Sequence, residues 1–474
     1  MKLPKAFSSL PRPSRLFKAL PRPKGLGLPQ VVRRTFEGRR ERQVAALAVV
    51  LVLLGALFLG GAGFGGGRPP PGQGEGPRGP DVSWGPTVNL NAAGYEPGIA
   101  SDSTGALYMT AHKNLDDKTT WPYLASWFLM SLDQGQSWVS PSEPRIRGNW
   151  WKTFLGDEGD IAVDAADNVY FVDTYLLDNH IHVFRDQGVW DHSVRIQKST
   201  GLDDRPWIAG QANGVLHYLG NNGAEVAGGR YWYYRSENQG LTWTAGDPVP
   251  GNGWAHIDAE RTGDHVYVVS ESEVDAPADI LVYVSENQGR TFDFSNPVVV
   301  AHRDGPGREY PVVTAGDNGL VYVLWNDASD GIENGTRLFV GVSDDFGKTW
   351  NTTEVTPFKG FLDYPTINAG PDGRLAVAFY GTTDLPVSGN STWYLYAGMQ
   401  RSALFGEVAM NFSIASEEPL YQGDDLHALH DFFEVVITPD GALNVAFQHY
   451  DGPCNGCSSL YFVRGELPET TRPQ

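Results

Sequence analysis

Acidic, basic and aromatic residues gather at seven places in this chain, each just ahead of a short apolar run. They are Tyr95 and Glu96; Asp157, Glu158 and Asp160; Asp203, Asp204, Arg205 and Trp207; Trp254 and His256; Arg308, Glu309 and Tyr310; Asp363 and Tyr364; His430 and Asp431. Hydrolysis of a glycosidic bond needs two carboxylates facing each other across the substrate, about 5 to 10 Å apart according to whether configuration is retained or inverted. Asp116, Asp117, Asp160, Asp204, Glu309, Asp363 and Asp431 are the candidates for such a pair. Glu96, Asp204, Arg205, Trp207, Trp254, His256, Arg308, His430 and Asp431 are the candidates for holding a substrate, by charge, hydrogen bonding and stacking. For any single carboxylate the competing reading is a hydrogen-bonded cap on a neighbouring repeat or a solvated rim charge.

The apolar runs that must position these residues are themselves repeats. They read IASDSTGALYMTA, IAVDAADNVYFVD, IAGQANGVLHYLG, IDAERTGDHVYVVS, VTAGDNGLVYVLW, INAGPDGRLAVAFYG and VITPDGALNVAFQ, spanning Ile99 to Gln448. Each is a polar or glycine turn between two apolar β runs, and the mean period of roughly 56 residues has room for about four short strands. A second pattern, Ser-x-Asp/Asn-x-Gly-x-Thr/Ser-Trp/Phe, occurs as SLDQGQSW at 131 to 138, SENQGLTW at 236 to 243, SENQGRTF at 285 to 292 and SDDFGKTW at 343 to 350. A degenerate copy, FRDQGVWD at 184 to 191, falls in the widest gap. These octapeptides are turn chemistry: the Asp or Asn accepts from its own backbone, the glycine takes positive φ and the aromatic folds back as a plug. A four-stranded unit cannot bury both faces alone, so the repeats predict an all-β propeller, with seven blades favoured and six the alternative. VSWGPTVNL at 82 to 90 is the strand expected to complete the last blade, which ends after CSSLYFVRGEL.

The front of the chain has another character. Residues 44 to 63, VAALAVVLVLLGALFLGGAG, carry no charge and are long enough for a membrane-spanning helix. Twelve of the 36 Lys and Arg and two of the 56 Asp and Glu precede them, which by the positive-inside rule leaves a basic, disordered tail, residues 1–43, in the cytoplasm. The expectation is an uncleaved signal anchor, with a cleaved signal peptide as the rival. Residues 64–81 form a Gly/Pro linker and residues 82–474 the extracytoplasmic propeller; together they hold 24 basic against 54 acidic residues. Such a surface repels nucleic acid.

Cys454 and Cys457 form one CxxC, too few ligands for a tetrahedral zinc site, and outside the cell a local disulfide is the expected state. No cofactor is called for. Calcium is the one ion with candidate oxygen ligands, in Asp157, Glu158 and Asp160 and in Asp424 and Asp425, though their spacing matches no EF-hand loop. His427 and His430 with Asp431 are a weaker transition-metal set.

Through its four octapeptides the chain resembles the Asp-box, or bacterial neuraminidase repeat, proteins, whose best-known members are sialidases. With the degenerate units the resemblance covers nearly all of residues 82 to 466. It implies a propeller whose site lies at one mouth of the central channel, and it implies little about activity. A sialidase grips the carboxylate of sialic acid with three arginines, the first in a Phe/Tyr-Arg-Ile-Pro motif on the first inner strand. Here Tyr95-Glu96-Pro97-Gly98-Ile99 puts an acid at that place, and the EPRI at 143 to 146 stands in an outer strand. The other catalytic parts the resemblance implies are Tyr310 or Tyr364 as nucleophile beside Glu309 or Asp363, and Asp116 or Asp117 as acid/base in the first-blade loop. The sequence thus predicts a membrane-tethered propeller that binds or hydrolyses cell-surface or environmental glycans, with a noncatalytic scaffold for a protein partner as the alternative.

Overall fold

The computed structural model describes residues 81–113, 126–140, 158–175, 178–196, 205–221, 231–251, 254–273, 277–306, 311–403, 408–452 and 458–468. The tail, the apolar stretch 44–63, residues 64–80 of the linker and Cys454 and Cys457 lie outside them. No helix among the described residues is long and apolar enough to cross a membrane.

Each of the seven sequence markers forms an antiparallel hairpin. The inner strands are Val88–Ser101, Glu158–Val163, Trp207–Gln211, Ala255–Ala259, Val312–Ala315, Phe361–Ala369 and Glu434–Ile437. Their partners are Leu107–Lys113, Val169–Tyr175, Val215–Asn221, Val266–Glu271, Val321–Asp327, Leu375–Thr382 and Leu443–Tyr450. A third strand follows in every unit, and its return turn is where the octapeptides lie. The partner strands are the most deeply buried, because sheets stack on both of their faces; Val266, Val321, Leu375 and Leu443 are fully enclosed.

The four octapeptides make one turn four times. In SDDFGKTW the Ser343 hydroxyl donates to Asp345 and accepts from Gly347 N, while Asp345 accepts from Thr349 N and Oγ1. Trp350 Nε1 then donates to the Gly347 carbonyl. The serine bonds recur around Ser131, Ser236 and Ser285, while Asn238 and Asn287 donate through Nδ2 to Thr242 and Thr291, and Phe292 stands where the other copies have the tryptophan donor. The residue before each glycine, and the glycine itself, has positive φ. In the degenerate copy Asp186, Gln187 and Gly188 are all left-handed, so the turn persists without the serine lock.

Hydrogen bonding divides the strands of the described residues into six sheets, five of four or five strands and one of seven. This corrects the expectation of separate four-stranded blades throughout. The reason is the 14-residue strand Val88–Ser101: Val88, Asn89 and Ala93 pair with Ser458–Glu466, and Gly94 to Ser101 pair with Leu107–Lys113. One strand therefore closes the last unit and opens the first. Ser83 and Trp84 add a further two-residue contact to the closing strand.

Every junction between successive hairpins carries a side-chain latch at its inner edge. Asp160 accepts from Ile208 N at 2.7 Å, Asp258 from Ala315 N at 2.9 Å, Thr314 from Ala369 N at 3.1 Å, Asn368 from Ile437 N at 2.9 Å and Glu434 from Ile99 N at 2.9 Å. Gln211 donates to the Glu260 carbonyl, and Ser103 N donates to Asp167. Asp160 is thus one of the hydrogen-bonded caps that a structural reading anticipates.

Candidate functional site

The inner strands surround a cavity of about 810 Å³. At the strand-end opening Arg261 reaches from the turn of the fourth hairpin to the carbonyls of Val163 and Ser101 in the second and first, tying three units together. The strand-start opening is different, and the sequence-predicted residues converge there.

Glu96, Arg205, Tyr364 and His430 stand at the entry to the first, third, sixth and seventh inner strands, and all four have φ between 50° and 59°. Left-handed backbone is unfavourable for side-chain-bearing residues and is concentrated at binding and catalytic sites. In the first and sixth units it coincides with a register shift between Tyr95 and Gly98 and between Asp363 and Thr366. Proline follows three of the four, which excludes the right-handed helical region for the preceding residue.

Glu96 is the centre of the cluster. Its Oε2 lies 2.8 Å from His112 Nε2, its Oε1 accepts from Asp431 N at 3.0 Å, and its own N–H donates to Gln448 Oε1 at 3.1 Å. Burial works to raise its carboxyl, but His112, with His430 and Arg205, outweighs it, so the group is held below the usual carboxylate range. Tyr95 is sandwiched between His112, at 4.3 Å, and His430, at 3.8 Å, with both imidazoles nearly parallel to its ring. Burial lowers His430 to about 4, against the raising effect of Glu96. Asp431 forms an ion pair with Arg205, whose guanidinium lies 4.6 Å over the Trp254 ring.

Trp207 is 1% exposed and packs below the opening, 4.8 Å from His256 and 5.4 Å from Phe432. Of the two tryptophans at inner-strand entries proposed for stacking, Trp207 and Trp254, Trp254 is the partly exposed one. Asp363 is fully buried, and the Tyr364 hydroxyl donates to the Leu426 carbonyl at 2.8 Å, a bond that a nucleophilic role would have to break. Asp116, Asp117, Asp204, Arg308, Glu309 and Tyr310 lie outside the described residues. Around the acidic pair Asp424 and Asp425, His427 N donates to Asp425, and His427 Nδ1 is 3.7 Å from Asp431. No group of three or more His, Cys, Asp or Glu among the described residues is placed to hold a metal ion.

His112 and Gln448 belong to the site but were not singled out in the sequence. Both are on second strands, at the ends that rise beside the strand-start opening. Alternation along LYMTAHK and LNVAFQHY marks polar residues at those ends, but nothing in it points to Glu96.

No family model matches the sequence, and no curated protein matches it. Solved structures are similar in fold. A fungal alcohol oxidase of the AA5 family, in complex with copper, aligns at 12% identity over 82% of this chain and 76% of its own, with a TM-score of 0.52. The α-L-arabinanase of Penicillium chrysogenum, complexed with arabinobiose, aligns at 11% identity over 81% of this chain and 98% of its own, with a TM-score of 0.42. The NanB sialidase of Streptococcus pneumoniae aligns at 11% identity over 82% and 70%, with a TM-score of 0.38. At such identities the likeness concerns the fold: the described residues are all-β and propeller-like, with almost no helix among them.

Proposed function

We propose that this protein is a carbohydrate-active propeller that binds a glycan at the strand-start mouth of its central cavity. The observation that carries the reading is the convergence of Glu96, Arg205, Tyr364 and His430, all in left-handed backbone, at equivalent places in four different units. A purely structural ring has no need of such strained, charged and aromatic entries to its inner strands. The ion pairs Glu96–His112 and Arg205–Asp431 fix donors and acceptors in place, and Trp254 offers an aromatic edge beside them. In this reading the seven-stranded sheet works as two blades sharing Val88–Ser101, giving a seven-fold ring.

The described mouth binds and orients; cleavage would also need a carboxyl that keeps its proton at working pH, opposite an ionised one. Glu96 supplies the ionised partner. The second would come from Asp116, Asp117, Asp204 or Glu309. The apolar run 44–63 would anchor the propeller outside the cell with the basic tail in the cytoplasm, which suits a ligand at the cell surface. The scaffold alternative asks for a broad apolar patch, and the large exposed apolar residues, Leu132, Val139, Val189, Leu241, Val299 and Ile332, are dispersed over several units.

The test is a panel of neutral and anionic oligosaccharides and chromogenic glycosides offered to the full-length protein, with Glu96→Gln and Arg205→Ala alongside. Binding or turnover lost in both variants supports the mouth as the site. Binding that both variants retain would place it elsewhere.

A further inference from the structure

Beside the mouth the fourth unit buries a charge pair that ring packing does not explain. Glu271 ends the second strand, Val266–Glu271, and Arg303 ends the fourth, Val298–Arg303, so both stand with Trp254 at the strand-start end of the unit. Their side chains are 1% and 0% exposed, and Arg303 Nη1 donates to Glu271 Oε2 at 2.6 Å. The attraction within a buried ion pair offsets its desolvation only in part, and an apolar pair of similar volume often serves a fold as well or better. What the charges add is direction. Glu271 Oε1 accepts from Trp254 N at 3.3 Å, and Glu271 N donates to the Trp254 carbonyl at 3.1 Å, just past the last inner-ladder pair, Ala255 with Ser270. Arg303 Nε donates to the Gly305 carbonyl at 2.8 Å and Nη2 to the Glu273 carbonyl at 3.3 Å. Gly305 in turn abuts the fifth unit, where a Cβ on it would stand 2.4 Å from Ser329 Cα. The pair therefore clamps the entry to the fourth inner strand and seats it against the next unit.

Resting on the reading of the mouth as a carbohydrate site, we propose that Glu271, held by Arg303, is a positioning residue that presets Trp254 as a stacking surface for a sugar ring. The Trp254 backbone is pinned through both its N–H and its carbonyl, and the Arg205 guanidinium lies 4.6 Å over the indole. An aromatic side chain fixed before the ligand arrives binds it more tightly, because no freedom is left to lose on binding. Glu271 and Arg303 are enclosed and act on the sugar only through Trp254. An apolar pair would fill the same space but would leave the Trp254 N–H without its acceptor.

The experiment compares the full-length protein with the double variant Glu271→Leu, Arg303→Met, in which an apolar pair replaces the charges. Melting temperature reports the fold, and calorimetric titration with xylobiose, cellobiose, lactose, sialyllactose and digalacturonate reports the site. The ¹⁹F spectrum of 5-fluorotryptophan-labelled protein, with Trp254 assigned from Trp254→Phe, reports the ring. The double variant should melt close to the wild type. It should bind the sugar that the wild type binds about fivefold or more weakly, with the Trp254 signal moved toward that of free fluorotryptophan or broadened by exchange. Wild-type affinity in the folded double variant, or a Trp254 signal left in place, overturns the inference while leaving the carbohydrate site standing. Binding of none of the five by the wild-type protein removes the site itself and this inference with it. Should the double variant fail to fold, ¹⁹F relaxation dispersion of the wild-type protein decides. Without sugar the Trp254 signal should show no microsecond-to-millisecond exchange, and exchange that a bound sugar suppresses contradicts the assignment.

Discussion

The carboxyls of Asp160 and Glu434 hydrogen-bond to each other across the first inner strand, at the position where that strand carries Gly98. A Cβ on Gly98 would stand 3.2 Å from Glu434 Oε2 and 3.6 Å from Ile161 Cγ2, so the glycine leaves the passage open. Each carboxyl also accepts a backbone N–H, from Ile208 and Ile99 respectively. The second, third, seventh and first units are thereby joined by one buried pair that must retain a proton.

That pair sets a pH dependence. Burial pushes Asp160 up to about 7 and Asp258 up to about 6, and burial with the charge of Asp160 pushes Glu434 well above its ordinary value. Because these folded values exceed the unfolded ones, the stabilising contribution is complete below about pH 4 and is lost as pH rises through about 7. Glu96 works in the opposite sense: its carboxyl is depressed, so its contribution is present above its unfolded value of 4.5 and lost as pH falls. Melting temperature followed calorimetrically from pH 4 to 9 should therefore peak in the mildly acid range and decline by pH 8. Glu434→Gln should flatten the alkaline decline, and an unaltered slope would count against the shared proton.

The octapeptide turns yield a prediction that separates backbone strain from collision. Gly105 and Gly135 both have positive φ, but a Cβ on Gly105 meets nothing within 4 Å, whereas one on Gly135 would fall 1.9 Å from Phe462 Cε1. Gly105→Ala should cost about 1 kcal/mol, the conformational term alone. Gly135→Ala should cost about 3 kcal/mol or more, since the Phe462 ring must also move. Urea denaturation midpoints measure the difference, and equal losses would mean that the turn is not wedged against the closing strand.

At the mouth, Arg205 both pairs with Asp431 and lies on Trp254. Lysine keeps the charge but loses the planar fork and much of the stacking. Arg205→Lys should weaken sugar binding about tenfold with little change in melting temperature. A variant with wild-type affinity would show that the guanidinium is a rim charge and no part of the site.

How much of this was legible in the sequence follows from the range of each interaction. The octapeptide turns are made by residues within eight positions of one another, so Ser343, Asp345 and Gly347 declared themselves by type and spacing. The seven hairpins were equally local. The sharing of Val88–Ser101 between two units was not, because it depends on where the strand bends near Gly94, and only pairing with Ser458–Glu466 decides that. Glu96, Arg205 and His430 were visible as entries to inner strands, but their mutual geometry joins residues from opposite ends of the chain. Asp160 carried the right chemistry for catalysis, and its two backbone amides, from Ile161 and Ile208, make it a latch instead. Glu434 drew no notice in the sequence, because its partner across Gly98 appears only when the ring closes.

The central claim, that the strand-start mouth is a carbohydrate site, is tested most directly by determining the structure of the protein crystallised with the disaccharide that binds it. The account predicts the sugar beside Trp254 and Arg205, at the mouth that Glu96 and His430 also line. A sugar lodged at the opposite opening near Arg261, or on the outer edge of a sheet, would contradict it.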